Sequence, residues 1–331
     1  MATNPNHLNP RGVASKLAAA ALLSFVLGGA SASIAAASAH KPACHCNQVS
    51  PSGASSYGWP LRPFHAQHPV RGFFGDPRIG LAKDHSVIRS FHFGIDIAGA
   101  DGTPVYATLT GRVRGGSAHH DVVAITGPRG RVFAYWHVVP VVRSGQRVIA
   151  YRTLIGHIAP SWGHVHFAEF RLGIPLNPLR PGALGPYSDT TPPLITGLGV
   201  PEHGLAVEPA APVSRHAQLV VEVHDTPELK VGGAWSDLTA APALVQWRVD
   251  SGGWTVALDF RRVVPKPDAY DGIYAYHTHQ NRPHHRGHYL IYLTPDWDPG
   301  ELASGRHVLE VVVVDIRGNH ASASIAITTA D

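Results

Sequence analysis

The sequence predicts an all-β protein built as two units. Three observations carry this. Short runs of alternating apolar and polar residues recur from residue 57 to the end. Turn-forming residues separate them, with Gly 34 and Pro 28 in the chain. Between 57 and 187 no stretch repeats its apolar residues at the helical period.

The elements follow in order. Arg11 and Lys16 precede the apolar run "LAAAALLSFVLGGA", which is followed by small residues up to "AAASAH". This is the pattern of a secretory signal peptide over residues 1–39, with cleavage after Ala39 or Ala32. The run is short for a membrane span, so no stable span is expected in the mature chain. An uncleaved anchor is the alternative, and either way the remainder would lie outside the membrane. Residues 40–56 read as a small, polar linker. They contain Cys44 and Cys46, too close together for an unstrained disulfide, and are read as a bland tail.

From residue 57 the strands begin. "PVYATLTGRV" and "QRVIAYRTLIGHI" are strand candidates, and "DVVAIT", "GPRG", "RVFAYWHV" read as a hairpin with a four-residue turn. "NPLRPGALGPYSDTTPPLITGL" is rich in Pro and Gly and reads as the boundary between a unit at 57–187 and one at 188–331. In the second unit, "AQLVVEVHD", "ALVQWRVDSGGWTVAL", "HYLIYLTP" and "RHVLEVVVVDIRGNHASASIAIT" are strands with the length and spacing of a β-sandwich. The closing pair around "DIRGN" resembles the last hairpin of bacterial immunoglobulin-like domains.

Formal charge is +4 with no run of like charges, which excludes the basic stripe that nucleic acid binding needs. The unusual count is histidine, at 23. Read as one strand, "FHFGIDI" turns Phe91, Phe93, Ile95 and Ile97 to one side and His92, Gly94 and Asp96 to the other. In "GHVHF", His164 and His166 share a face while Val165 and Phe167 take the opposite one. Imidazole nitrogen and carboxylate oxygen are zinc ligands, and two His with one Asp leave a fourth position open, as a catalytic site requires.

These motifs resemble those of the lysostaphin/LytM-type zinc endopeptidases, whose signature is H-x-x-x-D followed downstream by H-x-H. "RGFFGDPR" is similar to the family's lead-in, "FHFGIDIAGADGTPVYATLTGRV" to its first motif, "AYWHVV" to its segment with a further histidine, and "LIGHIAPSWGHVHF" to its closing motif. The resemblance covers about residues 57–180. It implies a duplicated-hybrid-motif, barrel-sandwich-like domain with one catalytic Zn2+ held by His92, Asp96 and His166. It also implies that His137 and His164 are catalytic histidines beside the metal. The implied activity is hydrolysis of peptide bonds in bacterial cell-wall peptidoglycan, outside the cell. Two departures stand out. Ala168 follows H-x-H-F where the family often has an acidic residue, with Glu169 one place later, and the loop from Gly156 to His164 is short.

No Glu is placed as in H-E-x-x-H enzymes, so histidine must move the proton. The competing reading is a non-catalytic protein that binds peptidoglycan or activates another hydrolase through a peptidase-like domain. A metal-binding β-barrel of another family would account for the histidines but not for their order. His65, His68, His85, His119 and His120 lie outside the pattern, and "YHTHQNRPHHRGHY" at 276–289 reads as a solvated loop, with a second metal site there as the alternative.

Overall fold

The computed structural model describes residues 56–117, 121–213 and 216–330. The signal segment, most of the linker with Cys44 and Cys46, and His119 and His120 fall outside them. The described strands are β1 Val70–Gly72, β2 Pro77–Leu81, β3 Val87–Phe91, β4 Ile95–Ala98, β5 Pro104–Tyr106, β6 Gly111–Ser117 and β7 Val122–Thr126. Then come β8 Arg131–Trp136, β9 Val138–Pro140, β10 Arg147–Val148, β11 Leu154–Ile158, β12 His164–Arg171 and β13 Ile174–Leu176. The rest are β14 Leu194–Glu202, β15 Leu205–Val207, β16 Ala217–His224, β17 Leu244–Val249, β18 Thr255–Asp259, β19 Leu290–Trp297, β20 Gly305–Val314 and β21 His320–Thr329. Among the described residues helical structure is confined to short 3-10 turns, so the chain is all-β.

One sheet has the order β1-β4-β12-β8-β7-β6-β10, with β13 beside β12. A three-stranded sheet, β5-β11-β9, lies with it around a single core that includes Trp59, Ile95, Ile97, Val123, Phe133, Tyr135, Val165 and Phe167. The expected hairpin is β7–β8, closed by the 3-10 turn Pro128–Gly130 with Thr126 opposite Val132. Among the described residues no sheet closes into a barrel.

The later strands form two four-stranded antiparallel sheets, β15-β14-β16-β19 and β18-β17-β20-β21. Their alternate residues Leu219, Val221 and Val223, Ile291 and Leu293, and Leu309, Val311 and Val313 meet in one core. This is the sandwich the sequence predicts. Its last hairpin turns on Asp315, whose Oδ1 accepts from the backbone N–H of Arg317 and Asn319. β14 starts at Leu194, inside the stretch read as a boundary.

The two cores exchange side chains. Phe74 and Phe91 belong to the sandwich core, where Phe91 packs on Phe260 and Tyr270, while Val231, Leu238 and Ala240 belong to the first core. Polar contacts pin the join: Ala241 N–H donates to Asp76 Oδ1, Ile79 N–H to Gln280 Oε1, and Asn177 Nδ2 to the Phe260 carbonyl.

At this join Asp189, Asp225 and Asp315 bring carboxylate oxygens within 4.8 Å of one another. Burial, then the charges of Asp189 and Asp315, push Asp225 up to about 8. The folded chain therefore holds a proton that the unfolded chain releases from the ordinary aspartate range upward. Stability should fall as pH rises from about 4 to about 8. Asp225→Asn can still accept from Thr226 N–H. It is expected to raise the melting temperature at pH 8 by relieving on the order of 1–3 kcal/mol of burial cost, and to change it little at pH 4. Thermal melts at the two pH values check this; an equal effect at both would refute it.

Candidate metal centre

β12 pairs with β4 so that His166 stands opposite Asp96 and His164 opposite Ala98. Val165 and Phe167, on the other face, are fully buried and lock the strand to the core. The shared face of His164 and His166 is therefore set by the period-2 pleat.

The strand expected over 91–97 is not continuous. β3 ends at Phe91, β4 starts at Ile95, and residues 92–94 are irregular between them. Phe91 enters the sandwich core and Ile95 the first core, so one straight strand cannot satisfy both. Phe93 does not join Ile95 either; it packs against His166, Trp136 and Phe170. Gly94 makes the bend fit, because a Cβ there would come within 2.8 Å of His166 Nε2. Gly72 on β1 is constrained likewise, since a Cβ would strike the Asp96 carboxylate.

Despite the broken strand the side chains converge. His92 Nε2 lies 2.7 Å from His166 Nδ1 and 3.1 Å from Asp96 Oδ1. His166 Nδ1 is 3.0 Å, and His164 Nε2 3.4 Å, from the same oxygen. His92 Nδ1 sits 2.9 Å from the Phe73 carbonyl and His164 Nδ1 2.8 Å from the Trp162 carbonyl. A carbonyl only accepts, so both Nδ1 atoms carry the proton, and in the neutral form of each ring Nε2 turns a lone pair inward. Two imidazole lone pairs facing a carboxylate oxygen repel one another unless a cation or proton lies between them. This donor set fits a borderline metal such as zinc, with His92, Asp96 and His166 as its ligands.

The electrostatics agree. Burial, then Arg78, lowers His92. Burial carries His166 down to about 4 against the pull of Asp96. Burial would raise Asp96, but His92 and His164 outweigh it and hold the carboxyl well below its usual range. At neutral pH the centre thus offers neutral imidazoles and a carboxylate, the forms that bind metal.

His137 follows β8 with φ 62, a left-handed conformation uncommon outside glycine. Its ring stacks on Trp162 with centroids 3.5 Å apart and lies 4.7 Å from the His164 ring. Burial, then His164 and His166, lowers it to about 2, so it is neutral. The structure thus gathers His92, Asp96, His137, His164 and His166 in one place.

Sequence reasoning missed the support around them. Arg78 Nη2 donates to Asp96 Oδ2 at 3.0 Å, leaving Oδ1 for the histidines. Trp162 positions both His137 and, through its carbonyl, His164. Both residues sit in quoted motifs, but nothing local shows what they touch. Glu169 faces away from the centre and is held by Tyr57, Arg131 and Arg180. The histidines of 276–289 form no ligand group; His279 pairs with His288 through the backbone, and His288 Nε2 lies 3.1 Å from Glu222. Among the described residues no helix is long and apolar enough to cross a membrane.

Comparison with protein families and with curated proteins finds no match. Solved structures similar to part of the chain include one of the SpoIIQ–SpoIIIAH pore-forming complex, at 23% identity over 33% of this chain and 80% of that one, with TM-score 0.28. A zinc-containing peptidase from Vibrio cholerae matches at 23% identity over 36% of this chain and 37% of that one, with TM-score 0.29. LytU matches at 24% identity over 36% and 86%, with TM-score 0.27. Likenesses of this size leave the activity to be argued from the site itself.

Proposed function

We propose that the chain is a secreted zinc metalloendopeptidase of the lysostaphin/LytM type, acting outside the cell on peptide bonds of peptidoglycan. The observation that carries this reading is the meeting of His92 Nε2, His166 Nδ1 and Asp96 Oδ1 from separate chain segments, with two further histidines alongside. Zinc held there would supply Lewis acidity for the scissile carbonyl and activate water.

The protein residues divide the remaining work. Arg78 and the Phe73 carbonyl orient Asp96 and His92. His164, with its Nδ1 proton tied to the Trp162 carbonyl, turns a free Nε2 lone pair inward and is placed to take a proton from the attacking water. His137, neutral and held flat on Trp162, would donate a ring N–H to the carbonyl oxygen, while the proton taken up by His164 would pass on to the departing amine. Neither needs a carboxylate base.

The test is metal analysis of residues 40–331 together with release of new amino termini from purified peptidoglycan. About one zinc per chain, cleavage, and loss of cleavage on chelation with recovery on adding zinc are expected. Zinc without cleavage would favour the binding reading, and no zinc would end both.

A further inference from the structure

In the candidate metal centre His92, His164 and His166 are buried, whereas Arg71, Asp96, His137 and Trp162 are only half-buried, so the rim along which the centre can meet solvent is formed by these four, with Arg71 Nη1 3.5 Å from where a Cβ on Gly163, beside His164, would lie. The second unit reaches this rim. Trp235, from its 3-10 turn Gly233–Trp235, packs against the first core, and the Arg71 guanidinium lies over its indole at 4.4 Å from the ring centroid.

Arg71 is unusual in how it is left. Its guanidinium is half-buried, and burial lowers its pKa from the ordinary value against the pull of Asp96 and Asp101. Among the described residues it has no hydrogen bond and no ion pair. The nearby carboxylates are committed elsewhere: Asp96 to the histidines and Arg78, and Asp101 to the backbone N–H of Ser161 and Gly163. A half-buried cation whose flat face is stacked and whose N–H edge is unused is a preorganised fork for a planar anion. Trp235 also lines a cleft of about 90 Å³ that carries two cations, Arg282 and Arg286, against one carboxylate, Asp237.

We propose that Arg71, held on Trp235, is a carboxylate subsite at the mouth of the metal centre, and that the chain selects peptides bearing a free carboxylate close to the bond it cuts. The second unit then takes part in substrate recognition by fixing Arg71. This rests on the peptidase reading for its substrate, but the subsite can be tested without it.

The experiment uses the zinc-loaded chain and matched pairs of peptidoglycan stem peptides, one with free carboxylates and one with the same groups amidated. Wild type is expected to favour the free form by about tenfold or more in kcat/KM, mainly through KM. Arg71→Gln should bring the ratio close to one, Arg71→Lys should keep part of it, and Trp235→Ala should reduce it. The preference should shrink in high salt. No preference in wild type, or an equal loss on both peptides in Arg71→Gln, would overturn the subsite and assign Arg71 a structural role. If wild type cuts neither peptide, the peptidase reading fails, and calorimetric binding of the same pairs decides the subsite. Tighter binding of the free form in wild type but not in Arg71→Gln supports it; equal binding refutes it.

Discussion

His166→Ala is expected to lose zinc and all measurable peptidoglycan cleavage, whereas His164→Ala should keep the metal and lose only the cleavage. The contrast follows from the inner geometry. His166 Nδ1 lies 2.7 Å from His92 Nε2 and 3.0 Å from Asp96 Oδ1, so it completes the donor set. Without it two ligands remain, and zinc affinity should fall by more than the roughly 10–100-fold that loss of a supporting group costs. His164 approaches the same oxygen only to 3.4 Å, so its loss should spare the metal and cost about 10²–10⁴-fold in rate. His166 also fills space between Phe93 and Trp136, so Asp96→Asn, which keeps its volume, serves as the control and should lose zinc as well. Metal content after gel filtration, with circular dichroism to confirm the fold, reads the result. Wild-type zinc in His166→Ala would remove that residue from the centre.

Glu169→Ala is expected to be the most damaging substitution away from the metal. The carboxylate is 2% exposed. Tyr57 donates to Oε2 at 2.7 Å, Arg180 to Oε2 at 2.8 Å and Arg131 to Oε1 at 2.9 Å. It therefore ties the start of the first unit to β8 and to the segment after β13. Deleting it leaves the buried Tyr57 hydroxyl without its acceptor and removes the carboxylate shared by two partly exposed cations, which keep Asn177 and Ser56 as partners, at a cost of about 1–3 kcal/mol. Glu169→Gln keeps an acceptor and should cost less. Burial would raise Glu169, but Arg180 and Tyr57 outweigh it and hold it below the usual glutamate range. A depressed carboxylate stabilises the fold above its unfolded pKa and loses that contribution as pH falls through the folded value. The penalty in Glu169→Ala should therefore be full at neutral pH and shrink in acid. Urea unfolding at pH 7 and pH 3 measures both; a loss under about 1 kcal/mol at pH 7 would show that the network does not carry the fold.

The candidate site was legible where its information is local. H-x-H on a strand must put both imidazoles on one face, and His164 and His166 obey because Val165 and Phe167 are both claimed by one core. The same rule misplaced Phe91 and Phe93. Alternation assumes that one core claims every apolar residue, and here the sandwich claims Phe91 while Phe93 packs on His166 at the candidate metal centre. Gly94 was read as one more residue of a straight strand, on the side of His92 and Asp96, and it is the bend that also admits the His166 ring. The role of Glu169 was hidden because its partners stand 112, 38 and 11 positions away along the chain.

The sequence by itself determined the all-β class, the principal hairpins and the pairing of His92 with Asp96 and of His164 with His166, because pleat period, turn residues and ligand chemistry are properties of neighbours along the chain; His137 was pointed to only by the family resemblance. The tertiary structure alone decided which core each aromatic residue joined, which guanidinium held Asp96 and which was left unused, and that Trp235 of the second unit stands at the opening. Those are choices among long-range partners of similar chemistry, and only the simultaneous packing of both cores selects one.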